Sequence, residues 1–162
     1  ELGVTYIFGP TATGKTRGVM EKHGYANVYR VTDYTHPFDR YAQQPVMCFD
    51  EFRSSLMVGD MLEYLDGYPL ALPARYASRQ ACFETVYIIS NIDLSQQYPK
   101  VQEQEPETWK AFLRRIHHVV EYRRNGPPIS HGPALEYIYP PDPAIPEWVQ
   151  KAERMEQMEL LP

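Results

Sequence analysis

Short apolar runs that stop at turn or polar residues recur along most of the chain. Val4-Thr5-Tyr6-Ile7-Phe8 is β-branched and aromatic and predicts a buried strand that breaks at Gly9-Pro10. Thr16 to His23 then reads as a helix, and Asn27 to Val31 as a second strand. Asp33 to Gln44 is polar, aromatic and irregular. Val46-Met47-Cys48-Phe49 predicts a third buried strand, closed by Asp50-Glu51, with Ser54 or Ser55 placed to cap a helix running to about Leu65.

Leu70 to Phe83 holds two extended arms around Arg75-Tyr76-Ala77-Ser78, a hairpin pattern without a tight-turn signature. Val86-Tyr87-Ile88-Ile89 is a further buried strand ending at Ser90-Asn91. Ile92 to Glu105 reads as a polar loop, Glu107 to Arg114 as a short helix, and Ile116 to Tyr122 as a last strand. Between Gly126 and Pro146 seven prolines exclude regular helix and central strand and predict an extended strap. Trp148, Ala152 and Met155 then recur at helical spacing within Glu147 to Leu160, predicting a helix that docks this stripe on the core.

Near-continuous apolar strands alternating with helices imply an α/β fold, a parallel sheet covered on both faces. The expected organisation is one α/β domain over residues 1–125, carrying the hairpin as an insert, and a Pro-rich strap with a C-terminal helix over 126–162. The length of 162 residues suits one core, and 43% hydrophobic residues describe a globular chain. No apolar run approaches the roughly 18 residues of a membrane helix, and no signal peptide is visible. The chain opens at Glu1 rather than Met, so we expect a piece of a longer protein. Cys48 and Cys82 lie in apolar, strand-like runs and are expected to be reduced core thiols, which fits an intracellular compartment. The net charge of −5 argues against a broad basic coat on nucleic acid, but not against contact through a few loops.

Gly9-Pro10-Thr11-Ala12-Thr13-Gly14-Lys15-Thr16 fits the phosphate-loop pattern G-x-x-x-x-G-K-[ST] without a mismatch, between a strand and a helix as the chemistry requires. Glycines let successive backbone N–H groups wrap close to phosphate oxygens, and the helix N-terminus adds partial positive charge. Lys15 is placed to neutralise the β- and γ-phosphates of ATP, and the Thr16 hydroxyl to ligate Mg²⁺. This motif alone specifies nucleotide and magnesium; it does not separate a motor from a kinase or a switch.

Asp50 and Glu51 end an apolar strand, the pattern in which the first acid holds Mg²⁺ and the second polarises an attacking water. Two adjacent acids favour hydrolysis over phosphoryl transfer to a substrate, since a kinase must keep water away. Ser90-Asn91, taken alone, reads as an ordinary turn. If its strand lies between the two phosphate-site strands, the Asn91 amide faces the γ-phosphate, where it can donate to phosphate and accept from water.

The order of these motifs resembles a superfamily-3 helicase, closest to the rolling-circle replication initiators of small circular single-stranded DNA viruses and related plasmids. Phe38-Asp39-x-Tyr41 is similar to the family's aromatic lead-in. Tyr68-Pro69-Leu70 with the hairpin, and Ile88-Ile89-Ser90-Asn91, are similar to its later motifs. Ala111-Phe112-Leu113-Arg114-Arg115-Ile116 resembles the segment that carries its arginine finger. The resemblance implies an AAA+-like sheet, a hexameric ring, 3′-to-5′ travel on single-stranded DNA, and ATP at each subunit interface. It implies that Lys15, Thr16, Asp50, Glu51 and Asn91 act in one subunit and that Arg115, in preference to Arg114, reaches the neighbour's γ-phosphate. It also implies a nicking endonuclease domain upstream. The location would be the host nucleus for a eukaryotic virus or the cytoplasm for a bacterium. The hairpin departs from the family, with Arg75-Tyr76-Ala77 where a Lys and glycines are usual. Arg75 and Arg79 can hold phosphates and Tyr76 can stack on a base.

Two other readings remain open: an RNA-associated ATPase of the same superfamily, and a non-translocating ATP-driven ring that binds a protein partner. A small-molecule kinase is disfavoured because the chain has no Arg-rich lid insert.

Overall fold

A computed structural model describes residues 2–159. In chain order the elements are β1 (Gly3–Phe8), α1 (Lys15–His23), β2 (Val28–Val31), β3 (Val46–Phe49) and α2 (Val58–Tyr64). There follow β4 (Ala71–Leu72), β5 (Arg79–Gln80), β6 (Thr85–Ser90), α3 (Pro99–Gln104) and α4 (Pro106–Arg114). The chain continues through β7 (His118–Glu121), β8 (Ile129–Gly132), α5 (Ala134–Ile138) and α6 (Glu147–Glu159). Six strands form one sheet in the order β2-β3-β6-β1-β7-β8. All neighbours are parallel except β7 and β8, so the sheet is mixed and not purely parallel as expected.

Alternation along each strand assigns side chains to two faces. Val4, Tyr6, Phe8, Met47, Phe49, Val86 and Ile88 point to a large core shared with Met61, Trp109, Phe112 and Leu113 from α2 and α4. Ile7, Val46, Cys48, Tyr87 and Ile89 form a smaller cluster under Val19 of α1. Trp109 and Phe112 are completely buried, and truncating either ring to Ala would cost about 3–5 kcal/mol.

Several expectations need correction. Residues 92–105 are not a loop: a 3₁₀ turn spans Leu94–Gln96 and α3 follows it. Of that helix only Val101 packs on the core, so no apolar period marks it. Neither serine caps α2, whose N-cap is Met57 without a side-chain bond. Ser54 is bonded to Gln97 instead, and the Ser55 hydroxyl accepts from Arg53 N–H. The Pro-rich stretch contains β8 and α5 rather than a plain strap. Its prolines lie outside the paired residues of an edge strand, where a missing N–H does no harm.

α6 forms as expected, although its last expected residue, Leu160, lies outside the described residues. Its stripe does not dock: Trp148 is 74% and Met155 56% exposed. The half-buried side is Val149, Gln150 and Arg154, with Arg154 ion-paired to Glu136 of α5. The helix therefore sits on a polar contact, and the apolar stripe faces outward. Cys48 is buried as expected, whereas Cys82 is exposed because its segment lies beyond the short β5 and not in the sheet.

Candidate functional site

The parallel register brings three strand ends level. Phe8 pairs with Ser90, and Phe49 with Ile88, so Gly9, Asp50 and Asn91 emerge at the same carboxyl edge. Open parallel sheets bind ligands outside this edge. β6 lies between β1 and β3, the arrangement the sequence reading required for Asn91.

The loop Gly9 to Gly14 has little conformational freedom. A side chain on Gly9 would drive its Cβ into the carbonyl oxygen of Tyr122, and Gly9 adopts a φ of 149°. Ala12 (φ 63°) and Gly14 (φ 85°) are left-handed, the backbone shape from which N–H nests are made. Lys15 is 7% exposed and its ammonium donates to the carbonyls of Gly9 and Pro10, each at 2.7 Å. Burial lowers the pKa of its ammonium, opposed by the negative charge of Asp50.

Asp50 is 2% exposed and accepts several bonds. Thr16 Oγ1 donates to its carboxylate (3.0 Å to Oδ1, 3.1 Å to Oδ2), and Glu51 N–H donates to Oδ1 at 2.9 Å. Arg30 Nε on β2 donates to Oδ2 at 2.6 Å, and the Tyr34 hydroxyl donates to the Asp50 carbonyl at 2.6 Å. Burial, with Cys48 and Asp50 nearby, raises the Tyr34 phenol well above its ordinary value. Glu51 is exposed and has φ 49°, a left-handed conformation that a non-glycine residue adopts under constraint.

These groups line one cavity of about 210 Å³, bounded by Thr11 to Arg17, Arg30, Asp50, Glu51, Ile89, Ser90 and Asn91. Lys15, Thr16, Asp50, Glu51 and Asn91 are thus brought together, with Thr11, Ala12, Thr13 and Gly14 around them. Magnesium is usually held by one or two carboxylates with water and substrate phosphate, rather than by an all-protein cage. The hard oxygen pair of Thr16 and Asp50 fits that pattern. No cluster of three or more His, Cys, Asp or Glu side chains forms a cage elsewhere among the described residues.

Arg30 and Tyr34 were not singled out from the sequence. The signal for Arg30 was a charged residue inside the apolar strand Val28–Val31, next in the sheet to the strand that ends in Asp50.

Arg115 is not in this cavity. It caps the end of α4, where Nε donates to Asp66 Oδ1 at 2.7 Å and Nη1 to the Ala111 carbonyl at 2.9 Å. Nε of the adjacent Arg114 is buried without a partner among the described residues. The hairpin forms as expected, with Ala71 opposite Gln80 and Leu72 opposite Arg79. Its arginines are held internally. Arg75 Nε and backbone N donate to the Asp39 carboxylate (2.6 and 3.0 Å), and Arg79 donates to the Asp39 carbonyl at 3.1 Å. Tyr76 is 90% exposed at the tip.

No protein-family model matches the chain, and a search of curated proteins returns no match. Function therefore has to be inferred from the site itself.

Proposed function

We propose that this chain is a P-loop, AAA+-like ATP hydrolase that moves 3′-to-5′ along single-stranded DNA as a superfamily-3 helicase in rolling-circle replication. The observation that carries this reading is the contact of Thr16 with the Asp50 carboxylate in a cavity also lined by Lys15, Glu51 and Asn91.

In this reading the phosphates of ATP compete with the Gly9 and Pro10 carbonyls for the Lys15 ammonium. An anionic phosphate oxygen is the stronger acceptor. Thr16 and Asp50 would hold Mg²⁺, whose charge would offset the negative charge of the phosphates. Glu51 takes the proton of the attacking water and orients it, and Asn91 holds the phosphate end from the neighbouring strand. Arg30 holds the Asp50 carboxylate in place through its Nε contact with Oδ2.

As the family resemblance implies, a second subunit would complete the site. Arg115 is the finger in that arrangement and must exchange Asp66 for the neighbour's phosphate, within a homo-oligomeric ring. Arg75, Tyr76 and Arg79 form the DNA loop. The internal hold of Arg75 and Arg79 on Asp39 supports a second reading, a ring that does not translocate and binds a protein partner.

The test is ATP turnover with and without single-stranded DNA. Magnesium-dependent turnover that single-stranded DNA stimulates and Lys15→Ala abolishes is expected. Turnover that Lys15→Ala leaves intact removes the nucleotide assignment, and turnover indifferent to DNA favours the second reading.

A further inference from the structure

Beneath the cavity, Gln97 is completely buried and satisfied at both ends of its amide. The two N–H groups of Nε2 are shared among three acceptors, the Tyr6 hydroxyl (2.9 Å), the Phe52 carbonyl (3.0 Å) and Ser90 Oγ (3.2 Å). Oε1 accepts from Ser54 N–H at 2.6 Å and from Ser54 Oγ at 2.8 Å. The orientation of the amide is determined chemically, because a backbone N–H can only donate, so the oxygen must face Ser54.

The partners sit beside the residues assigned to hydrolysis. Phe52 directly follows Glu51, and Ser90 directly precedes Asn91. Ser90 Oγ also donates to the Phe52 carbonyl at 2.6 Å and accepts from Ile92 N–H at 3.2 Å, and Phe52 N–H donates to the Ile89 carbonyl at 2.8 Å. One amide thus fastens the turn after β3 to the turn after β6, with Tyr6 of β1 as the third point.

Backbone strain concentrates around the same amide. Glu51 (φ 49°), Ser54 (φ 52°) and Tyr98 (φ 50°) are all left-handed. Gln97 holds Ser54, and Ser54 Oγ accepts from Tyr98 N–H at 2.7 Å. Such conformations cost about 1–3 kcal/mol each and persist only where their surroundings over-determine them.

From this network we infer that Gln97 is a positioning residue for hydrolysis, setting the distance and angle between Glu51 and Asn91 without touching nucleotide. The inference rests on the proposed ATPase reading. Lys15, Thr16 and Asp50 are held by separate contacts, so nucleotide affinity is expected to survive while turnover falls. Displacing a catalytic group by about 1 Å can lower rate about 100-fold.

The experiment compares wild type, Gln97→Glu and Ser54→Gly for ATPase kcat, affinity for a fluorescent ATP analogue, and melting temperature. Gln97→Glu has the same shape but exchanges a two-hydrogen donor for a carboxyl oxygen, so the bonds to Tyr6, Phe52 and Ser90 cannot all be kept. Ser54→Gly tolerates the left-handed backbone, keeps its N–H bond and loses only the hydroxyl, so it tests the network in a chain that folds. Gln97→Glu is expected to lower kcat by about 10- to 100-fold, and Ser54→Gly by less, both with analogue affinity within about twofold of wild type. If both variants keep wild-type kcat, or if kcat and affinity fall together in step with melting temperature, the positioning role is overturned. A wild-type chain that does not hydrolyse ATP removes the proposed function and this role together.

Discussion

Replacing Glu51 by Gln tests the hydrolysis chemistry with the least disturbance of the fold. The side chain is exposed and has no hydrogen-bond partner among the described residues; its backbone N–H bond to Asp50 Oδ1 survives the change. An exposed isosteric substitution of this kind stays within about 0.5 kcal/mol in stability. An amide cannot accept the water's proton, and losing a general base lowers rate about 10²–10⁴-fold. That range corresponds to about 2.7–5.4 kcal/mol of barrier.

Affinity for ATP should hold, because the proposed phosphate contacts come from Lys15, Thr16 and the loop. Glu51→Gly is the companion variant. It relieves the left-handed strain of φ 49°, about 1–2 kcal/mol, against about 0.5–1 kcal/mol for the extra freedom of an unfolded glycine. It should melt no lower than wild type and be equally inactive, so unfolding cannot explain the loss. Single-turnover hydrolysis and analogue binding, measured on the same preparations, decide the matter. Turnover by Glu51→Gln within about threefold of wild type would refute the assignment, as would joint loss of turnover and binding.

Arg115→Ala should spare nucleotide binding and suppress turnover about 10³-fold or more, and mixing it with Lys15→Ala protein should restore activity at hybrid interfaces; absence of rescue in a mixing titration argues against action in trans. At the hairpin, Arg75→Ala with Arg79→Ala should weaken single-strand binding and flatten its salt dependence. Asp39→Asn removes the carboxylate charge that neutralises Arg75 and should steepen that dependence, read as the slope of log K against log salt, by about 0.7 per phosphate gained. Equal slopes for all three proteins would take the hairpin out of the DNA path. Of the two thiols, only Cys82 should react with an aromatic disulfide reagent in the folded protein, and both after denaturation. Burial pushes the Cys48 thiol from 9.0 up to about 12. The unfolded chain therefore loses this proton first, and stability should fall between about pH 9 and 12, by at most about 1.4 kcal/mol per pH unit. Denaturant titrations of Cys48→Ala showing the same slope as wild type would remove this contribution.

Much of this architecture was legible in the order of residues, for a local reason. The strands β1, β3 and β6 are continuous apolar runs, and each stops next to a residue assigned to the candidate site: Gly9, Asp50 or Asn91. Parallel buried strands need no alternation, so their ends stand out against polar turns. The pattern G-x-x-x-x-G-K-[ST] was equally plain, because its glycines, Lys15 and Thr16 stand at fixed sequence spacing.

Long-range contacts were decided only by tertiary structure. Arg30, Tyr34 and Gln97 act on groups far along the chain, and no local pattern marks a residue whose partner is distant. The internal engagement of Arg75 and Arg79 with Asp39, the exposure of Trp148 and Cys82, and the antiparallel β8 likewise depend on which surfaces meet. Sequence periodicity reports the faces a segment can bury, while packing selects the neighbour that covers each one.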